Sequence, residues 1–256
     1  MTALKTTFAL LAAGFLLLPL IAILPLAFTS SVFLSYPVEG PSLRWFTELT
    51  ANSVWLRSIT NSLGIGLAAT ALSVTLGSAA ALGMRRNLVP FTDFLRTLFL
   101  LPMVIPAVVL GVGLRLLMTP LGLANSYLGV IIAHTVLCEP FVVVSVSNAL
   151  AGIDPNVEKA AESLGAPPVT VFWLVTFPLA APGIVTGAVF SFATSLDEVI
   201  LTLFVAGPNQ RTLARQMFSS IRENISPAVA AAAFAIITGT VLITTLIALA
   251  RRRSQA

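Results

Sequence analysis

The chain has 256 residues, of which 57% are hydrophobic and only 9% charged, with one cysteine, one histidine and a formal charge of +4. A soluble domain carries about 25% charged residues, so this composition excludes a water-soluble globular protein, and its apolar content excludes a disordered chain. In such a chain a small basic excess records membrane orientation, not nucleic-acid binding. Cys138 can form no intrachain disulfide, no Cys/His cluster has zinc spacing, and no Walker A loop is present. No metal and no cofactor are therefore expected in this chain, and a lone histidine leaves little room for an intramembrane enzyme.

Six stretches reach the roughly 20 apolar residues that a bilayer core requires: Thr7–Phe28, Ile59–Met84, Leu98–Met118, Leu128–Leu150, Leu179–Val205 and Pro227–Ala250. Lipid offers the backbone no partners, so these are predicted helices, and the alternation of a membrane barrel is absent. The fold class is an all-α membrane protein with six transmembrane helices, a single transmembrane domain over residues 1–256. The first stretch exceeds the core of a signal peptide and carries Pro19 and Pro25, so an uncleaved first helix is expected. In the loop after it, Pro41–Leu49 reads as a short interfacial helix with Trp45 and Phe46 at the headgroup level. Lys5, Arg85, Arg86, Arg96, Lys159 and Arg251–Arg253 fall on one side, and Arg44, Arg57, Arg211, Arg215 and Arg222 on the other. The denser clusters put both termini in the cytoplasm.

Small residues repeat every fourth position on three spans: Ala69, Ser73, Gly77 and Ala81 on the second, Gly183, Gly187, Ser191 and Ser195 on the fifth, and Ala231, Ala235 and Gly239 on the sixth. Such ridges let helix backbones approach closely. Arg115, near the end of span three, is expected to snorkel to the interface. On span four, His134 reads as a hydrogen-bonded bundle residue ahead of a proton relay. Glu139 either pairs with Arg115 or lines a cavity, and Pro140 distorts the helix there. Span five carries Asp197 and Glu198, which cost roughly 2.5–3.5 kcal/mol each at a helix centre, against a return of about 0.3–0.6 from each of its Leu, Ile, Val and Phe residues. The two sums nearly cancel. The acids therefore need water, a partner helix or a cation, and either a structural role at a helix break or a place in a translocation path fits.

The loop of about residues 151–178, between spans four and five, is long, cytoplasmic and patterned. Asp154 caps a helix start, Pro155 suits its first position, Asn156–Leu164 makes the helix, and Gly165 stops it ahead of Pro167 and Pro168. A second short helical piece, Val169–Phe177, leads to Pro178. The first helix either packs on its own bundle or docks a soluble partner. For docking, Ala160 and Ala161 allow close approach, and Glu158, Lys159 and Glu162 form a polar rim.

The stretch EKAAESLGAPPVTVFWLVTFPLAAPG resembles the EAA loop of permease subunits in binding-protein-dependent type I ABC importers. It matches that pattern at Ala160, Ala161, Gly165, Val175 and Pro178. Lys159 stands where the family has Glu, with Glu158 just before it, and Phe177 replaces Leu, which leaves open which acid meets the ATPase. The similarity runs over about residues 58–250, and Ser195–Ala233 resembles the spermidine/putrescine-type branch. The resemblance implies a non-catalytic permease in a bacterial cytoplasmic membrane. It further implies a second homologous permease subunit, an ATPase dimer carrying ATP and Mg, and an external solute-binding protein. The coupling residues it implies are Asp154, Glu158, Lys159, Ala160, Ala161, Glu162, Gly165 and Pro178, and the candidate path residues are Asp197, Glu198, Glu139 and His134. A polyamine or related organic cation is the expected solute, with ferric iron or an amino-acid derivative as alternatives. A proton-coupled secondary transporter built on the same four residues is the competing function.

Overall fold

The computed structural model describes residues 2–86, 90–223 and 225–254. Residues 87–89 of the basic loop, and the terminal Gln255 and Ala256 of the expected cytoplasmic tail, lie outside the described residues. Among the described residues the chain is helical, without strands. In order, it forms α1 (Thr2–Ile23), a 3-10 turn (Leu24–Phe28), α2 (Arg44–Ala51), α3 (Ser53–Arg85), α4 (Thr92–Val104) and α5 (Ala107–Met118). There follow α6 (Tyr127–Ala151), α7 (Pro155–Ser163), α8 (Pro168–Val171), a π-helical turn (Phe172–Thr176), α9 (Phe177–Asp197), α10 (Ile200–Val205), α11 (Leu213–Glu223) and α12 (Ala228–Ser254). Four stretches are long and apolar enough to cross a membrane, and α4 with α5 supplies a fifth if the bent pair counts as one span. The chain is a multi-pass membrane protein.

Two compact units divide it. In the unit of residues 1–56 and 216–256, Phe28, Phe46 and Phe234 form an aromatic cluster with ring centroids 5.0–5.7 Å apart. α2 overlaps the predicted interfacial helix Pro41–Leu49 but starts at Arg44, and its Trp45 is buried, donating its indole N–H to the Ser31 carbonyl at 3.2 Å.

In the unit of residues 57–215, α6 is the central helix. It contributes to a core of Ile65, Leu114, Met118, Val130, Ala133, Leu201 and Val205 towards one end. At the other end it joins Ala81, Ala180 and Ile153 through Val142, Val146 and Leu150. Two predicted spans are broken. Ile105 precedes Pro106, whose ring disfavours helical backbone before it, so Ile105 is extended and α4 meets α5 at 108°. Span five begins earlier and ends earlier than Leu179–Val205. Pro178 has no N–H to give one turn back, and just before it the ladder widens, with the Phe177 N–H reaching the Phe172 carbonyl five residues away. The predicted separate piece Val169–Phe177 is thereby joined to α9 in one run from Pro168 to Asp197. At Glu198 the backbone turns extended, and α10 resumes two residues later.

Candidate functional site

The fifth-span ridge is the seam between α6 and α9. Gly183, Gly187, Ser191 and Ser195 are all buried. A Cβ on Gly183 would lie 2.7 Å from the Ser145 carbonyl oxygen, and one on Gly187 would lie 3.0 Å from the Val142 Cα. Further along, the Cys138 thiol donates to the Ser191 carbonyl at 3.2 Å, and Ser191 Oγ donates back to the Cys138 carbonyl at 3.4 Å. His134 Nδ1 lies 2.7 Å from Ser195 Oγ. The second-span ridge packs on the same helix. Ser73 Oγ reaches the Thr135 carbonyl at 3.3 Å, and a Cβ on Gly77 would meet Val142 at 2.9 Å.

His134 joins the two sides of the α9–α10 break. Its Nε2 is 3.1 Å from Thr202 Oγ1, on α10, while Nδ1 holds Ser195, on α9. Both ring nitrogens are occupied, as expected of a bundle residue. The break itself is held by Glu198, whose Oε1 accepts the Leu201 N–H at 2.7 Å, one of the amides that a starting helix leaves without a backbone partner. That bond is a cap at a helix break, one of the two roles open to Glu198. Asp197 differs, since it ends α9 with its side chain exposed. Glu139 differs again. It is 8% exposed and neither carboxylate oxygen has a hydrogen-bond partner. Arg115 does not pair with it. Its guanidinium donates to Asn125 Oδ1 at 2.9 Å and to the Phe204 carbonyl at 3.4 Å, where it closes the far end of α10.

At that end, side chains that the sequence did not single out clasp the loop after α10. Asn61 donates to the Asn209 and Arg211 carbonyls at 2.8 and 2.9 Å, and the Tyr127 hydroxyl reaches Asn61 Oδ1 and the Asn209 carbonyl at 3.0 Å. Arg57 donates to Asn209 Oδ1 at 3.0 Å. Arg215 donates to the Thr202 and Ala206 carbonyls, and burial together with Arg211 pushes its guanidinium below the usual range.

α7 starts and stops one residue from its predicted bounds. Asp154 caps it by accepting the Asn156 N–H at 2.9 Å. Gly165, at φ +84°, donates to the Glu162 carbonyl at 2.9 Å, and Ala166 donates to the Ala161 carbonyl at 3.2 Å. This pair of bonds is the Schellman closure that glycine permits. Lys159, Ala160, Glu162 and Leu164 are exposed, Ala161 is half-buried, and Pro178 lies in the first turn of α9. Glu158 points the other way, into its own bundle. Its Oε1 accepts from Arg85 at 3.0 Å and from the Thr176 hydroxyl at 2.6 Å, with Arg86 at 3.9 Å.

Residues 73–255 match the family described as binding-protein-dependent transport system inner membrane component. The chain is 33% identical over 235 residues to the putrescine transport system permease protein PotI of Escherichia coli K12, covering 88% of this chain and 82% of that protein. It is 30% identical over 220 residues to the spermidine/putrescine permease PotC of the same strain, covering 86% and 83%. With the molybdenum permease ModB of Mycobacterium bovis it shares 35% identity over 211 residues, covering 75% and 80%. In fold it is similar to a chain of a bacterial ABC transporter that imports alginate, with a TM-score of 0.72 at 14% identity, covering 96% of this chain and 94% of that one. A chain of an amino acid ABC transporter matches at 0.61 and 18% identity, covering 82% and 98%. These matches do not favour a proton-coupled carrier. A capped, outward-facing α7 on a multi-pass helical bundle and a family match over most of the chain agree: this protein belongs to the binding-protein-dependent inner membrane components, the non-catalytic permease subunits of ABC importers.

Proposed function

We propose that this permease forms half of the pore of a polyamine importer in a bacterial cytoplasmic membrane. An external solute-binding protein delivers putrescine, spermidine or a related organic cation. A second homologous permease completes the path, and an ATPase dimer carrying ATP and Mg docks on α7. α12 supplies a sixth span, since its 27 residues make about 40 Å of helix. Six spans put both termini on the side of α7, Arg85 and Arg86, which the basic residues assign to the cytoplasm. Against a merely self-packing α7, the supporting observation is its outer face. Both ends are fixed by caps, yet Lys159, Ala160, Glu162 and Leu164 meet nothing of their own chain's core. The cationic solute is supported by the putrescine and spermidine permeases among the relatives, and by Asp197 and Glu139, the two intramembrane acids not used for structure.

The test is uptake of labelled putrescine into vesicles holding the assembled importer. ATP on the α7 side and the binding protein on the other are expected to be required together. Uptake driven by a pH gradient without ATP would overturn the importer reading. ATP-driven uptake of molybdate in preference to any polyamine would overturn the substrate.

A further inference from the structure

The α7 face that would meet an ATPase carries Lys159 and Glu162, but the first acid of the helix is turned away from it. Glu158 has a side chain only 14% exposed, and one of its oxygens gathers donors from two other elements. Arg85, the last residue of α3, gives Nη1 to that oxygen at 3.0 Å and Nη2 to the Ile153 carbonyl at 3.2 Å. Ile153 lies just ahead of the Asp154 cap, so one guanidinium grips α7 on both sides of its N-terminus. Thr176, the last residue of the π turn, gives its hydroxyl to the same Glu158 oxygen at 2.6 Å.

The space around this junction makes the polar link matter. A cavity of ≈ 330 Å³, lined by Val74, Ser78, Phe172, Trp173 and Ile184 among others, lies between α3 and the joint of α8 with α9, with Thr176 on its wall. Apolar packing there is interrupted, and the widened π turn is itself a weak point in the helix ladder. Beside the packing of Ile153 on Ala81 and Ala180, Glu158 gives a displacement of α7 a direct polar link to both spans.

We propose that Glu158 is a positioning residue that ties the coupling helix to the end of α3 and to the root of α9, so that movement of α7 is converted into movement of both spans. It does not hold the ATPase, a task the geometry leaves to the outward face of Lys159, Ala160 and Glu162. This rests on the importer reading above, in which α7 is the element that moves.

The experiment uses the assembled importer in vesicles and reads two quantities: the ATPase retained on the purified membrane subunits, and putrescine moved per ATP hydrolysed. Glu158→Ala and Arg85→Ala are each expected to lower putrescine moved per ATP by roughly tenfold, the scale of a charge-assisted hydrogen bond, while the ATPase stays bound. The double variant is expected to be no worse than the poorer single one, since both remove the same link. Thr176→Val, which keeps shape and removes the donor, is expected to lower the ratio by about threefold, and Glu158→Gln, which keeps an acceptor, to recover part of it. Loss of bound ATPase in Glu158→Ala but not in Arg85→Ala would overturn the proposal, as would fully additive losses. If the unaltered protein retains no ATPase, the importer reading fails. Hydrogen exchange on the isolated chain then still tests the tie itself: faster exchange of the α7 amides in Glu158→Ala supports it, and unchanged exchange refutes it.

Discussion

Two regions of the α6 helix treat polar groups in opposite ways. Along the seam with α9 and α10, buried polar groups meet one another: His134 with Ser195 and Thr202, and Cys138 with Ser191. One residue beyond Cys138, on the flank towards α3, Glu139 is buried beside Gly77 with both oxygens unpartnered. The seam uses small residues to bring backbones and hydroxyls together, and its polar groups are spent on one another. The flank uses a small residue to admit a carboxylate that nothing in the fold satisfies. A buried acid without a partner costs stability, so Glu139 adds nothing to what holds this chain together.

The largest test breaks the seam. Gly187→Val would drive a branched side chain into the Val142 backbone, and is expected to cost about 3 kcal/mol. The measurement is the thermal unfolding midpoint of the detergent-purified protein. An unchanged midpoint would mean that α6 and α9 do not pack as closely as described.

A smaller loss is expected on the same side of the comparison from His134→Ala. It strips partners from Ser195 and Thr202 and should cost about 1–2 kcal/mol, the modest scale of polar contacts within membranes. Because His134 bridges the break, hydrogen exchange should quicken over residues 200–205 and remain unaltered over α7. Equal quickening in both would show that the histidine supports the bundle generally and not the break.

Much of this was readable from residue order. α7 was legible because its signals are local: an Asp-Pro start and a glycine stop act within one turn. The fifth-span ridge was legible as a surface, since Gly183 through Ser195 recur at helical spacing, although spacing alone cannot name α6 as the partner. The α9–α10 break was legible only as one of two roles open to Asp197 and Glu198, because Val199 to Val205 after them is almost wholly apolar and reads as continuous span. Only Glu198, a carboxylate placed to take the Leu201 amide, marks it, and that bond requires the broken backbone to exist. The bend at Ile105 had a signal in Pro102 and Pro106 that hydropathy averaged away. Thr176 and Arg85 could not be found as partners of Glu158, since they come from segments 18 and 73 residues distant.

On the flank, the sign reverses. Glu139→Met replaces an unsatisfied carboxylate with an apolar side chain of similar length and is expected to raise stability by about 1 kcal/mol while lowering polyamine uptake. A loss of stability comparable with that of His134→Ala would show that the fold does satisfy Glu139, and the contrast between seam and flank would fall.

The smallest effect on stability, and the most selective on transport, belongs to Asp197. Its side chain is exposed at the C-terminal end of α9, where the helix already presents the negative end of its dipole and carbonyls left without intrahelical donors. A carboxylate gains nothing structurally there, so Asp197→Asn is expected to change stability by less than about 0.5 kcal/mol. The same negative end favours a passing ammonium, as the carbonyl ends of broken helices do for cations in other transporters. Removing one charge weakens attraction in proportion to the charge on the solute. Uptake of spermidine, with three positive charges, is therefore expected to suffer more than uptake of putrescine, with two, when both are measured as a function of concentration in vesicles. Equal losses for the two amines would place Asp197 off the path and make its effect indirect. No loss for either would leave Glu139 as the remaining acid that the solute meets.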